Sequence, residues 1–506
     1  MTDGIGDDYV EVSSDINLNI AEFEKIFADC ADVRKNVFFL GKDFDVKCFI
    51  AHVEVTVSNV SIADSVMGKM IMMMQNMQAS EILKCVEKNG VGIVDAMVLT
   101  SMEDVVSGML TGDLVFFIDG FYGAYKIPVK GYPNMGVTEN TAEPNIRGSK
   151  EGFADSVKTN TALIRKRVRS NKLKVKEIME GVRSNTTIAL CYIEDIVAPN
   201  LVEEIEQYLN QYEIDGIFDS GMLIQLMEES KYSPFPQYQA TERPDRAAMA
   251  VLEGRVVLLV DNSPMAVLLP ANYHNFFVTT DDYYNRWEVA SMSRIIRYIA
   301  SVIAMFLPAF YLSVIQFHSQ VVPATLILTF ASARKGVPFS PFIEILLMEI
   351  AFELLREAGI RIPGSLGKSI GIVGGLIVGQ AAVDAGLVSP IVVIVVALAA
   401  LASFCVPNEE FGSAYRLIKF AMLGLAAFLG IYGVMLGSMV LILHLCSLKS
   451  MGYPFLLVKG NQKNKLSSVE SILRKPSDKL TKRSVYANEK QKIRLRKKGD
   501  MKDEKQ

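Results

Sequence analysis

The apolar residues of this chain are segregated. Nearly all of its long apolar runs fall between residues 295 and 448, while 1–290 read as ordinary globular sequence. Half of the residues are hydrophobic although 21% are charged, a balance that a single soluble core does not produce. An α-helix needs about 20 apolar residues to cross the hydrocarbon core of a bilayer. Four segments meet or approach that length: roughly 298–317, 367–388, 390–406 and 416–447. The last is long enough to tilt or to extend beyond the bilayer. Between the first two, Val321–Ala333 is too short to span, and Ser340–Gly359 carries Glu344, Glu349, Glu353 and Glu357. These two pieces read as a re-entrant or interfacial pair. The predicted fold class is an α+β cytosolic region, two small mixed sheets with helices, followed by an all-α multi-span membrane domain.

Charge is segregated too. The net charge is −4, yet from Lys459 to Gln506 there are sixteen Lys/Arg against six Asp/Glu. A basic tail after a membrane segment marks a cytoplasmic end, and it offers a surface to anionic membrane lipid. Tyr486 is the one aromatic residue there on which a base could stack, so no nucleic-acid partner is expected. Arg286, Arg294 and Arg297 precede the first span. Both termini are then expected on the cytoplasmic side, which requires an even number of crossings, and four spans satisfy that. The acidic opening, MTDGIGDDYVEVSSD, has no apolar signal core, so the amino-terminal half is expected to stay in the cytosol.

Several classes of chemistry are not expected. The six cysteines form no CxxC pair and read as free buried thiols. His52, His274, His318 and His444 are too scattered for a metal site. There is no P-loop and no strand–GxGxxG–helix unit, so no nucleotide or other cofactor is expected. No nucleophile has an identifiable base beside it, so the chain is not expected to be an enzyme.

The amino-terminal half divides by pattern. An acidic lead-in (1–35) has a helical stretch from Ile20 to Phe27. A first α+β subdomain (36–138) has a strand at 44–57, a methionine-rich helix at 67–77, a strand at Gly92–Leu99, a helix at Met102–Leu110 and a hairpin at 114–129. Asp119-Gly120 between two apolar runs suits a type I′ turn. Residues 139–185 read as a charged helical connector with RKRVRSNKLKVK at 165–176. A second α+β subdomain (186–290) has strands at 186–194, 255–261 and 265–270 and helices at Leu201–Asn210 and Gly221–Glu229. The membrane domain spans 291–450 and the basic tail 451–506.

In the second firm span, Gly367, Gly371, Gly375 and Gly379 recur every four residues, a ridge that lets helices approach closely. Another stripe of the same helix carries Val373, Ile377, Gln380 and Asp384. Polar groups at membrane depth are costly unless they face protein or water. This stripe is the candidate pore lining, a hydrophobic gate beside a hydrated vestibule. Asp384 at the membrane interface is the competing reading. Glu349, Glu353 and Glu357 share one helical face, with Arg356 placed to pair with Glu353. That face suits either an amphipathic surface helix or an acidic ring in an oligomeric cation pathway.

Three long stretches carry a family resemblance. They are EPNIRGSKEGFADSVKTNTALIRKRVR at 143–169, PFPQYQATERPDRAAMAVLEGRVVLLVDNSPMAVLLP at 235–270, and SPFIEILLMEIAFELLREAGIRIPGSLGKSIGIVGGLIVGQAAVDAGLVSP at 340–390. With them the chain resembles the A-subunit family of GerA-type spore germination receptors, from about residue 20 to 458. One departure is Asn262, where the resemblance leads one to expect Gly; Asn tolerates positive φ, so the turn should survive. The resemblance implies a place in the spore inner membrane. It implies a transporter-like B subunit that senses the nutrient and a lipoprotein C subunit as partners. It further implies a homo-oligomer, a pentamer, acting as a nutrient-gated channel for monovalent cations. A non-conducting scaffold and an ancillary paralogue channel are the alternatives. The matching cytosolic motif is Arg243, Pro244, Asp245, Arg246, Glu253, Gly254, Arg255, Asp261 and Pro264. Its charges either lock the second subdomain onto its strand pair or lie at a subunit interface that transmits opening.

Overall fold

The structure is a computed structural model, and it describes residues 11–57, 67–87, 96–131, 143, 147–361, 366–456 and 472–495. By packing the chain forms two units. One is Met1–Glu228, Tyr238–Pro270 and Leu480–Gln506; the other is Glu229–Gln237 and Ala271–Lys479.

The first unit holds two five-stranded sheets. Strands β1 (Val33–Leu40), β2 (Val46–Val53), β3 (Met97–Leu99), β4 (Leu114–Ile118) and β5 (Ala124–Ile127) pair in the order β1-β2-β4-β5-β3. Strands β6 (Leu173–Glu180), β7 (Thr186–Ile193), β8 (Gln239–Thr241), β9 (Val256–Val260) and β10 (Ala266–Leu269) pair as β6-β7-β9-β10-β8. Each neighbouring pair runs antiparallel. β4 (LVFFI) and β9 (VVLLV) are apolar at every position because both faces are covered. Side-chain alternation then divides β4 between two cores. Val115 and Phe117 meet Phe23 and Met109, whereas Leu114, Phe116 and Ile118 meet Ile82 and Val86.

The two sheets belong to one repeated plan. Helix, two strands, two helices, strand, helix and two strands occur in that order from Ile16 to Ile127 and again from Val157 to Leu269. Small details repeat as well. Ile16 N–H donates to Asp119 Oδ1 at 3.2 Å and Val157 N–H to Asp261 Oδ1 at 3.0 Å, so each repeat caps its first helix with the carboxylate that follows its central strand. The next residue takes positive φ in both cases, 82° at Gly120 and 66° at Asn262. The expected turn at Asn262 therefore forms. Asn19 and Asn160 each clamp the backbone of the residue six positions before, Ser13 and Ala154.

Two expectations in this half are corrected. The connector at 139–185 is not helical throughout. It is helical at Val157–Arg167 and then becomes β6, where Leu173 and Val175 are buried in the core and Lys174, Lys176, Glu177 and Glu180 are divided between the two faces. The 114–129 hairpin is present, but its connection runs from Asp119 to Gly123 with positive φ at Gly120 and Gly123, not as a two-residue type I′ turn. The strand read at 92–99 is described only as Met97–Leu99; 88–95 lie outside the described residues. β1 is a strand that the sequence reading missed.

The second unit is mainly helical. Among the described residues its longer helices are Trp287–Phe317, Ala324–Ala333, Pro341–Arg361, Leu366–Asp384, Pro390–Phe404, Glu409–Leu429 and Ile431–Ser447. Among the described residues, Trp287–Phe317 and Glu409–Leu429 are long and apolar enough to cross a membrane by length and composition. The apolar run at 416–447 is not one helix. It breaks at Gly430, whose φ of 59° no helical residue adopts, and turns back as a helical hairpin. A Cβ on Gly433 would lie 2.3 Å from the Leu425 carbonyl oxygen, so glycine lets the two arms touch.

Candidate functional site

The helix that carries the candidate pore stripe, Leu366–Asp384, packs through small residues. A Cβ on Gly375 would lie 2.9 Å from Phe352 Cε1, and one on Gly379 3.0 Å from Val393 Cγ1. Those contacts set the helix against Pro341–Arg361 and Pro390–Phe404. Ile377 is 61% exposed, and Gln380 and Asp384 are exposed as well. Gln380 Nε2 donates to Asp384 Oδ1 at 2.9 Å, joining the two polar groups of the stripe. Gly367, Gly371 and Val373 fall in the first half of this helix, where the side chains lie outside the described residues.

The three glutamates of Pro341–Arg361 do not share one environment. Glu349 is buried and accepts a hydrogen bond from Lys419 of Glu409–Leu429, itself buried. Glu353 accepts from Arg416 at 3.0 Å and lies 3.7 Å from Lys419. Glu357 is exposed and pairs with Arg361 one turn on. Arg356 lies 4.0 Å from Glu409, so Glu353 finds its partners on the neighbouring helix and not in Arg356. Glu344 is also buried. It pairs with Arg334 at 3.0 Å and accepts from Ser389 N–H at 3.0 Å, at the start of Pro390–Phe404. A ladder of ion pairs thus runs among apolar helices. Charges there persist only when paired. Sequence reasoning found the carboxylates and missed Arg416 and Lys419; their spacing, three apart with Tyr415 and Met422 on the buried side, was the available signal.

Ahead of the first long helix, Asp282 takes Arg294 at 2.9 Å and Arg297 at 2.9 Å. Burial raises the Asp282 pKa, but the two guanidiniums outweigh it and hold the carboxyl below its ordinary value. Nearby, His274 Nδ1 and Tyr298 Oη share a hydrogen bond of 2.8 Å. Burial lowers the His274 pKa from 6.5 to about 4.

The motif residues from Arg243 to Pro264 make most of their contacts within the second repeat. Pro244 opens the helix Pro244–Leu252 at its first turn. Arg243 forks onto Asp245 at 3.0 and 2.6 Å, and Arg246 reaches Glu143 at 2.8 Å. Arg255 is buried and donates to the carbonyls of Pro270 and Leu268 and to Gln239 Oε1, tying β10 to β8. Gly254 has φ 88°, Glu253 lies 3.7 Å from Arg494, and Pro264 sits in the turn between β9 and β10. Asp261 is the helix cap described above. A further buried pair was not foreseen: Arg165, fully buried, forks onto Asp32 with two contacts of 2.8 Å and joins the first repeat to the second.

An α+β half of two like repeats followed by apolar helices with buried, paired charges defines a membrane-associated protein with a large non-membrane region. Residues 21–486 match the model of the Bacillus/Clostridium GerA spore germination protein family. Spore germination protein A1 of Bacillus subtilis (strain 168) is 40% identical over 383 residues, 76% of this chain and 79% of that protein. The uncharacterized membrane protein YfkQ of the same strain is 35% identical over 446 residues, 88% of this chain and 86% of that protein. The crystal structure of the N-terminal domain of the A subunit of the Bacillus megaterium spore germinant receptor GerK3 aligns at 25% identity with a TM-score of 0.41, covering 53% of this chain and 99% of that domain. The chain belongs to the GerA spore germination protein family.

Proposed function

We propose that the chain is the A subunit of a nutrient germinant receptor in the spore inner membrane, and that copies of it form a gated channel for monovalent cations. The observation that carries this reading is the Leu366–Asp384 helix. Gly375 and Gly379 pack inside the chain, while Ile377, Gln380 and Asp384 remain exposed. A carboxylate and an amide on the outer side of a helix among apolar neighbours need water or another copy against them. A ring of copies around a hydrated axis supplies both, and a pentamer is the ring that the family resemblance implies. Glu349 and Glu353 are already paired within the chain, so the stripe on Leu366–Asp384 is a better pathway than the acidic face.

On this reading a transporter-like B subunit senses the nutrient and a lipoprotein C subunit completes the receptor. Both termini lie on the spore-core side, and the chain moves ions without making or breaking a covalent bond. The test is oligomeric mass and cation flux on the same nanodisc and liposome preparation. A closed ring is expected, with flux that falls when Ile377 or Val373 is enlarged to Phe and leaks when either becomes Ala. A monomer without flux in all of these variants would refute the channel and leave a scaffold.

A further inference from the structure

The two repeats end differently. In the first, β5 runs straight on, and Lys130 bridges back to Val57, with Gly131 N–H donating to the Thr56 carbonyl at 2.8 Å. In the second, β10 ends at Leu269 and the chain leaves this unit after Pro270. The equivalent place is nevertheless filled. Ala487 bridges to Val197, and Asn488 N–H donates to the Ile196 carbonyl at 2.8 Å. Thr56 and Val57 follow β2 as Ile196 and Val197 follow β7, at the same offset. The chain's carboxyl-terminal segment occupies in the second repeat the position that Lys130 and Gly131 occupy in the first.

The site is shaped for it. A Cβ on Gly254 would lie 2.7 Å from Ala487 Cα and 3.0 Å from its nitrogen, so the segment passes over a residue that has to be glycine. Tyr486 and Ala487 are both buried, and Ala487 belongs to the same core as Val251, Val257 and Leu268. The residue after the glycine engages the segment in each repeat, with chemistry exchanged. Asp113 faces Lys130 at 3.7 Å, while Arg255 lies under the Tyr486 ring at 6.0 Å. Ser484 Oγ donates to the Glu253 carbonyl at 2.8 Å and Arg483 Nε to the Leu252 carbonyl at 3.1 Å, which closes the carboxyl end of Pro244–Leu252.

We infer that the groove between Ile196–Val197 and Glu253–Gly254 is a docking site for Tyr486–Ala487–Asn488 of the same chain, and that this segment is a strap without which the second repeat is incomplete. The basic composition of 451–506 suits a lipid surface; residues 480–495 have this other use.

The test is site-directed cross-linking of the full chain in lipid nanodiscs. Directly opposed residues of an antiparallel pair bring their Cβ atoms close enough for a disulfide. Val197→Cys with Ala487→Cys is expected to close on mild oxidation within one chain, and so is Val57→Cys with Lys130→Cys in the first repeat. In a separate variant, Ala487→Arg is expected to raise tryptic cleavage at Arg483 roughly tenfold while leaving cleavage in the first repeat unchanged. Closure of the 57/130 pair without the 197/487 pair would overturn the proposal. So would a disulfide that joins two chains, which would make another copy the occupant, or an unchanged cleavage rate at Arg483.

Discussion

The α/β half and the helical half each bury an ion pair, and they hold it differently. Asp32 meets Arg165 through two parallel contacts, and the remaining Arg165 nitrogen donates to the carbonyls of Ser170 and Leu173. That pair is satisfied on all sides and acts as a rivet between two repeats. Lys419 has two carboxylates within reach, Glu349 and Glu353, while among the described residues Glu349 Oε1 and Arg416 Nε have no hydrogen-bond partner. A pair with spare valence can exchange partners when its helices shift; a fully used one cannot. The comparison teaches that the α/β half is built for one arrangement and the helical half keeps room for a second.

The largest effect should come from the rivet. Asp32→Ala leaves Arg165 buried without its partner and is expected to cost about 4–5 kcal/mol, read as lost hydrogen-exchange protection across β1 and β6. If it costs under about 1 kcal/mol, the two pairs are not different in kind. Lys419→Met is expected to cost about 3 kcal/mol, and Glu349→Leu in the same protein to restore most of it, measured by thermal unfolding in nanodiscs. A double variant no better than the single one would mean that the pair is irreplaceable, like Asp32–Arg165. Gly433→Ala forces the hairpin arms apart and is expected to cost about 1–3 kcal/mol. Gly437→Ala should cost less, because the atoms it meets are the side-chain ends of Met422 and Leu425 and not backbone. The smallest is Asn262→Ala, about 1 kcal/mol for a left-handed residue, with Asn262→Gly near neutral.

Acid adds a separate handle on the helical half. His274 is neutral when buried, and its folded pKa lies below its unfolded one. Its contribution to stability is therefore full above pH 6.5 and is lost as pH falls toward about 4. Unfolding of the nanodisc protein between pH 7 and pH 4 should flatten in His274→Gln.

Much of the α/β half was legible in its sequence because hydrophobic period and turn chemistry agree there. The helix at Met102–Leu110, the runs LVFFI and VVLLV and the turn at Asn262 all follow from residues that leave one choice. β1 and β6 are hidden because they are edge strands whose Lys, Arg, Asn and Glu fall on both faces, so no period of two shows. The internal repeat has a signal of its own: TGDLVFFIDG at 111–120 and EGRVVLLVDN at 253–262 share Gly, five apolar residues and Asp in step. In the helical half hydropathy counts apolar residues and is blind to φ, so Gly430 disappeared into a long span. The exposed stripe on Leu366–Asp384 was readable from spacing, whereas the partners of Glu349 and Glu353 lie on a helix far along the chain, where no local pattern points to them.

The strap has a consequence for biosynthesis. The first repeat is finished once Gly131 has been made, but the second waits for Asn488, after every apolar helix has left the ribosome. At ribosomal rates the stretch from Pro270 to Leu480 takes roughly ten to forty seconds, during which the groove beside Gly254 is bare. A nascent chain released early would carry all of its described apolar helices and still present an unfinished second repeat. A chain that stops before Tyr486 therefore cannot close its own second repeat, whatever it has made of its apolar helices.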